Sequence, residues 1–349
     1  MLGPATGALF VAAGAGLRAT ASSRAHACGA PLQSSVMVYG LQSSQTATAP
    51  VTDSIKLHDF HMTALVSIYI PTKNRVALLR RAVRSVLAQT ARQIELIVVS
   101  DGSSDLTCDY IASINGDIPV RLIHNRVSVG ACAARNQAID VARGKFITGL
   151  DDDDFFMPHR IECFLRGWQR MQRAGLDFSC LFDSRIVDDG AHVFSAQTDD
   201  VVNAEQILHS NAIGNQVFTT RERMVAAGLF DPAMPAWQDW EMWVRLLNQF
   251  GPALNIHTKS YYSDISHEFE RITHKSPDKI LRTAQLFYTK HCAPRHMAAI
   301  LLALESYPQV RLTVNDLMLL FLAKQARVVV RSVLRGKMCL SFTSSLASA

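Results

Sequence analysis

A short apolar strand running straight into four consecutive carboxylates sets the first constraint on this chain. Lys145-Phe-Ile-Thr-Gly-Leu150 reads as a buried strand, and Asp151, Asp152, Asp153 and Asp154 stand at its end. Pro158 is placed to open a helix, since its ring pre-sets φ and it lacks only an N–H that would be unpaired there. Four like charges at a strand end repel and raise one another's pKa values. A divalent cation relieves them, because Mg²⁺ and Mn²⁺ prefer carboxylate oxygens and commonly share coordination with substrate phosphates. The plainer alternative is a solvated acidic loop. The apolar strand ahead of the run, in a chain with no other acidic block, points instead to a metal and diphosphate site.

The stretch before it repeats one theme. Leu65-Val-Ser-Ile-Tyr-Ile70 is an apolar, β-branched strand ended by Pro71-Thr-Lys-Asn-Arg75. Leu78, Leu79, Ala82, Val83, Val86 and Leu87 then recur at helical spacing. Ile94-Glu-Leu-Ile-Val-Val99 is a second strand, with the turn Ser100-Asp-Gly-Ser-Ser-Asp105 after it, and Val120-Arg-Leu-Ile-His124 is a third, before a helix from about Gly130 to Ala142. Strands alternating with helices mean a parallel, doubly wound sheet, whose ligands bind at the carboxyl ends of the strands. The polar punctuation falls there. Asp101 could accept hydrogen bonds from a ribose or a base edge, or cap the next helix. Arg135, on a helix leaving a glycine turn, could pair with a phosphate or carboxylate, or be a surface arginine. No Gly-x-Gly-x-x-Gly follows the first strand and no Walker pattern is present, which weakens dehydrogenase and P-loop readings.

Length and charge set the remaining bounds. At 349 residues the chain holds one large α/β domain with extensions, or two domains. Hydrophobic residues make up 48% and charged residues 19%, so disorder is not the default. No uncharged apolar run is long enough for a spanning helix. Seven scattered cysteines without a Cys-x-x-Cys pair fit a reducing compartment. Residues 1–61 show no sustained periodicity and read as a disordered extension, with Met62 or Met37 as candidate internal starts. The net charge is +5, and no acid occurs before Asp53.

Four stretches together carry a resemblance. Pro71-Thr-Lys-Asn-Arg75, Glu95-Leu-Ile-Val-Val-Ser-Asp-Gly-Ser-Ser-Asp105, Gly130-Ala-Cys-Ala-Ala-Arg-Asn136 and Gly144-Lys-Phe-Ile-Thr-Gly-Leu-Asp-Asp-Asp-Asp154 stand in the order of the signature of family 2 glycosyltransferases. The chain resembles that family from about residue 63 to 270. The resemblance implies an α/β GT-A fold: a doubly wound, mostly parallel nucleotide-binding sheet fused to an acceptor-binding half. It also implies an inverting enzyme fed by a nucleotide sugar, of the bacterial surface-polysaccharide or lipopolysaccharide type. By it, Pro71 and Thr72 border the nucleotide, with Arg75 in the same motif, and Asp101 contacts the uridine or its equivalent. Asp153 is the metal ligand, holding Mn²⁺ or Mg²⁺, and Asp151 or Asp152 lies nearer the donor sugar. Two departures leave the base open: Ser100 stands where the family usually has Asp, and Lys73 where a tyrosine is often found.

The second informative stretch is Trp237-Gln-Asp-Trp-Glu-Met-Trp-Val-Arg-Leu-Leu247. Trp240, Trp243, Val244 and Leu247 share one helical face and are expected in the core, leaving Gln238 and Asp239 at the first turn. Asp239 is either a first-turn acid favoured by the helix dipole or the general base that takes the acceptor hydroxyl proton. The resemblance favours the base, with Glu241 as the alternate carboxylate. Further on, His267 or Arg271 could reach the diphosphate or complete the metal shell, or be structural.

The chain divides, on this reading, into residues 1–61, a glycosyltransferase domain over 62–275 and a basic helical extension over 276–349. Two helices are expected in 276–306 and a third from Val314 to about Leu334. Residues 311–337 carry six Lys or Arg against one acid, Asp316. That helix either packs on the domain or lies on an anionic membrane surface. The expected partners are a nucleotide-diphosphate sugar, a UDP-sugar first, and a glycan or lipid-linked acceptor. The expected location is cytoplasmic, peripheral at the inner membrane face if the helix docks. Nucleic acid is not expected, because the basic charge has no aromatic interleaving. The rivals are a nucleotidyltransferase, whose glycine-rich loop after the first strand is missing here, and a non-catalytic nucleotide-sugar-binding protein.

Overall fold

Val66–Thr72 forms β1, and every residue in it except Pro71 is buried. A strand covered on both faces is what a continuous apolar run encodes in a parallel sheet. The computed structural model describes residues 66–196, 198–266 and 276–339, all within the compact unit Thr63–Ala349. The expected N-terminal extension therefore lies outside the described residues, as do His267 and Arg271. After β1 come α1 (Val76–Leu87), β2 (Ile94–Asp101), α2 (Thr107–Ala112), β3 (Val120–Asn125), α3 (Ala131–Val141) and β4 (Phe146–Gly149). These strands lie parallel in the order β3-β2-β1-β4, with Val66 in register with both Ile94 and Phe146. The order reverses between β1 and β4, and a crevice outside the carboxyl ends of strands at such a reversal is where ligands bind. Thr72 ends β1 at that point, and Asp151 follows β4. Gly149 makes the junction possible, since a Cβ there would stand 2.6 Å from the Tyr69 ring and press on the Gln216 amide.

The next segment holds β5 (Phe155–Phe156), α4 (Arg160–Arg173), β6 (Cys180–Phe182), β7 (Arg185–Asp188), β8 (Val193–Ser195), β9 (Val201–Val202), β10 (Phe218–Thr220), α5 (Arg221–Ala226), α6 (Gln238–Phe250), β11 (Ala253–Asn255) and β12 (Tyr261–Asp264). The large sheet continues from β4 through β10, β6, β11 and β9, with β10 antiparallel to both neighbours. A smaller sheet runs β5-β12-β7-β8.

The single strand expected over residues 178–187 is two strands, one in each sheet. Asp183 is the reason. Its buried carboxylate accepts from the backbone N–H groups of Thr258, Lys259 and Ser260 at 2.6–2.9 Å and from Arg160 Nη1 at 3.4 Å. The first strand ends just before this anchored residue, at Phe182, and the chain re-enters a strand at Arg185 in the second sheet. The expected polar loop over residues 188–203 likewise contains β8 and β9.

Trp240, Trp243, Val244 and Leu247 of α6 are all buried, on the face their spacing predicts. That face is shared with the C-terminal helices, so the extension is part of the same core: Ile280, Phe287, Ile300, Leu301 and Leu304 pack in one cluster with it. The helices are α7 (Pro277–His291), α8 (Met297–Glu305), α9 (Val314–Leu322) and α10 (Ala326–Leu334), with β13 (Leu312–Thr313) paired to β14 (Met338–Cys339). The one helix expected over 314–334 is thus two. Lys324 breaks it in the left-handed region at φ 62°, a conformation that ends a helix rather than continuing it.

Candidate active site

Leu150 N–H donates to Tyr69 O at 2.9 Å, which carries the end of β4 alongside β1 and delivers Asp151 to the reversal point. The four carboxylates then turn different ways. Asp151 accepts from Asn215 Nδ2 at 2.7 Å, Gln216 Nε2 at 3.1 Å and Arg135 Nη2 at 3.4 Å. Asp152 turns toward the first strand, accepting from Thr72 Oγ1 at 2.7 Å and Arg75 Nη1 at 3.2 Å. Burial pushes its carboxyl up to about 6, and the Thr72 hydroxyl and Arg75 hold it from going further. Asp153 lies 3.6 Å from Arg75 Nη1, and its backbone carbonyl accepts from Arg81. Asp154 is buried, accepting from Tyr261 Oη at 2.7 Å, Asp264 N–H at 3.0 Å and Asn215 Nδ2 at 3.3 Å.

Asp151, Asp153 and Asp154 offer one carboxylate oxygen each, all within 4.8 Å of one another. Burial first, and then the charges of Asp153 and Asp151, drive the Asp154 carboxyl well above the usual carboxylate range. An all-oxygen donor set under that strain fits a hard divalent cation such as Mg²⁺ or Mn²⁺. The residues alone read as one four-carboxylate site, and the resemblance singled out Asp153 as the metal ligand without naming Asp154. The geometry brings Asp154 in and turns Asp152 away.

Arg135 is the link to the second carboxylate. Its side chain is 11% exposed, sits over the Phe230 ring and bridges Asp151 to Gln238 Oε1, the latter at 2.8 Å. Gln238 opens α6 and Asp239 is next. Asn211 Nδ2 donates to Asp239 Oδ2 at 3.1 Å and also to Gly214 O at 3.1 Å. Burial raises the Asp239 carboxyl above its ordinary value, opposed by the Trp240 backbone N–H and by Arg135. One loop, residues 211–216, therefore holds Asp239 through Asn211 and Asp151 through Asn215 and Gln216. Sequence reading missed all three amides. Their signal was the clustering of Asn211, Gly214, Asn215 and Gln216 just before an apolar strand, and amides follow no period that marks them as functional.

Glu241, the alternate base, is not free to act. It is fully buried and pairs with Arg245 at 2.7 Å, Lys290 at 2.6 Å and His291 at 3.0 Å. Its carboxyl is held well below the usual range by His291, Arg245 and Lys290 despite its burial. Asp101 is likewise committed. It accepts from Asn125 Nδ2, Ser128 Oγ, Val129 N–H and Gly130 N–H at 2.7–3.0 Å, so four donors fill its two oxygens. It ties the turn before α3 to β2, while Asp105 accepts from Thr107 N–H at the start of α2. Pro71 sits half-buried beside Thr72 at the end of β1.

The family model of Glycosyl transferase family 2 matches residues 67–193, from β1 through the carboxylate cluster to the start of β8. The putative colanic acid biosynthesis glycosyl transferase WcaA of Escherichia coli K12 is 35% identical over 65% of this chain and 81% of its own length. Chondroitin synthase of Pasteurella multocida is 36% identical over 34% of this chain, which spans only 12% of that longer protein. Among solved structures, S. aureus TarS 1–349 in complex with UDP-GlcNAc aligns with a TM-score of 0.55 at 15% identity, covering 80% of this chain and 94% of that one. The mannosyltransferase PcManGT from Pyrobaculum calidifontis, in complex with GDP-Man and Mn²⁺, aligns with a TM-score of 0.50 at 16% identity over 78% and 76% of the two chains. The strand order, the carboxylates at the reversal point and a relative matched over four-fifths of its length agree: the chain belongs to glycosyl transferase family 2.

Proposed function

We propose that the chain is an inverting, metal-dependent glycosyltransferase that moves a sugar from a nucleoside diphosphate donor to a hydroxyl of a glycan or lipid-linked acceptor. One observation carries the reading: Asp239 and the carboxylate cluster are separate in sequence yet held by one loop and one arginine. In the reaction, Asp239 takes the acceptor hydroxyl proton while that oxygen forms its bond to the anomeric carbon. The bond from that carbon to the diphosphate oxygen breaks, and its electron pair leaves with the nucleoside diphosphate. Displacement from the face opposite the leaving group inverts the anomeric configuration. Asp151, Asp153 and Asp154 would hold Mn²⁺ or Mg²⁺, which when bound stabilises negative charge on the leaving diphosphate.

The chain's own groups do the rest. Arg135 opposes the rise of the Asp239 carboxyl and, through Gln238, ties the first turn of α6 to Asp151. The elevated Asp239 carboxyl is a better proton acceptor than an exposed aspartate. Pro71, Thr72, Arg75 and Asp152 border the nucleotide, and Asp101 shapes its pocket through the turn before α3. The named relatives include a colanic acid glycosyl transferase and a chondroitin synthase, which supports assembly of a polysaccharide. UDP-GlcNAc and GDP-Man in the solved neighbours support a nucleotide sugar as donor. His267, outside the described residues, remains a candidate for completing the metal shell or reaching the diphosphate.

The test follows product stereochemistry by NMR, with a panel of UDP- and GDP-sugars and Mn²⁺. Release of nucleoside diphosphate with an inverted anomeric centre, lost in Asp239→Asn, supports the reading. A retained anomeric centre, or full turnover by Asp239→Asn, overturns it.

A further inference from the structure

The α9–α10 pair presents an apolar face that the catalytic reading does not use. Leu317 and Leu320 of α9 point into the core, but Phe321, Leu322 and Leu334 are 61%, 70% and 81% exposed. Met318 and Leu319 of α9 and Val330 and Val333 of α10 are exposed as well, each within about one helical turn of one of them in sequence. Large apolar side chains gathered this way on a chain surface mark an interaction site rather than scattered surface residues.

The surrounding charge is of one sign. Arg311, Lys324, Arg327, Arg331 and Arg335 are exposed, and among the described residues only Arg331 of these is paired with a carboxylate, that of Glu305 at 2.8 Å. Asp316, the only acid between residues 311 and 337, is buried and spent on capping α9, where it accepts from Thr313 N–H at 2.9 Å. Lys337 is also withdrawn, its ammonium buried against the carbonyls of Glu305 and Tyr307. What remains on the surface is apolar and cationic, with no exposed acid of its own.

We propose that this face docks on an anionic lipid surface, with Phe321, Leu322 and Leu334 entering the headgroup boundary and Lys324, Arg327 and Arg335 meeting lipid phosphates. Lysine and arginine beside an apolar stripe are the pattern of helices that lie in the membrane interface. No helix of the described residues is long and apolar enough to cross a membrane, so the contact is interfacial. A second copy fits less well, because a two-fold contact would set these cations against their own images with no acid between them. The inference rests on this surface alone and not on the transfer chemistry.

The experiment floats the full chain with phosphatidylcholine vesicles, with and without phosphatidylglycerol. Two variants accompany it: the triple Phe321→Ser, Leu322→Ser, Leu334→Ser and the triple Lys324→Glu, Arg327→Glu, Arg335→Glu. Wild type is expected to float with the phosphatidylglycerol vesicles and far less with phosphatidylcholine alone, and added salt should release it. Each triple variant should lose at least about tenfold in partitioning while circular dichroism and nucleotide binding stay as in wild type. Three results would overturn the proposal: no flotation of wild type, flotation unchanged in both variants, or a dimer in sedimentation velocity that the variants abolish without any vesicle binding.

Discussion

The indole N–H of Trp237 donates to the Tyr307 hydroxyl at 2.8 Å, joining the residue before α6 to the turn after α8. Trp237 is held in the left-handed region at φ 53°, a strained conformation for a bulky residue. Its ring also packs on Trp240 and Phe287, with centroids 4.8 and 5.7 Å away. Strain of this kind persists only where surrounding contacts over-determine it. Gln238 and Asp239 follow immediately, so the C-terminal helices set the direction in which the proposed base enters the site.

Tyr307→Phe removes the acceptor and leaves a buried indole N–H unpaired, at a cost of roughly 1–3 kcal/mol. A lower melting temperature is therefore expected, together with a fall in kcat. Nucleotide affinity should be unchanged, since Thr72, Arg75 and the carboxylates do not touch this contact. Calorimetric melts, donor titrations and steady-state rates read the three quantities separately. Loss of donor affinity with kcat intact would place Tyr307 in binding instead.

Asn215→Ala tests the loop that serves both carboxylate groups. Asn215 Nδ2 reaches Asp151, Asp154 and the Tyr261 hydroxyl at 2.7, 3.3 and 3.0 Å. Without it Asp151 and Asp154 lose the one donor they share, and supporting contacts of this kind are worth about 10- to 100-fold in metal affinity. Mn²⁺ titration should show that loss. Asn211→Ala, which touches Asp239 instead, should leave Mn²⁺ affinity near wild type and lower kcat.

Asp239 makes activity and stability oppose each other with pH. Its folded-state carboxyl is raised, chiefly by burial, so the base is ionised only above the ordinary aspartate range. The acid limb of the kcat profile should fall at a pH higher than an exposed aspartate would give. For stability the sign reverses. A carboxyl raised on folding contributes fully below its unfolded value, and that contribution is lost as pH rises through the folded one. Asp239→Asn should therefore melt above wild type at neutral pH, with the gap closing on acidification, while transfer is lost. A melting difference independent of pH would show that Asp239 titrates normally.

Much of this arrangement is legible in the residues, for identifiable reasons. β1, β2 and β4 are parallel and buried almost throughout, so each reads as a largely apolar run whose polar end coincides with the ligand crevice, while the edge strand β3 is only partly buried. The face of α6 is equally plain, because Trp240, Trp243, Val244 and Leu247 keep a helical period. What spacing cannot give is the direction of a side chain at a strand end. Four adjacent aspartates read as one cluster, yet Asp152 faces Thr72 while Asp154 faces Tyr261, a partner 107 residues away. Asp183 splits a strand that its apolar neighbours would continue, because its partners at residues 258–260 are remote in sequence. Lys324 breaks the last helix through a backbone angle that no periodicity carries.

The most direct test of the central claim is calorimetric titration of a nucleoside diphosphate, with and without Mn²⁺, into wild type, Asp153→Ala and Asp239→Asn. Binding strengthened by Mn²⁺ in wild type and Asp239→Asn, and indifferent to Mn²⁺ in Asp153→Ala, is the expected result. It would separate a carboxylate cluster that binds from a carboxylate that reacts. Nucleotide binding that ignores Mn²⁺ in all three folded proteins would contradict the account and reduce residues 151–154 to an acidic turn.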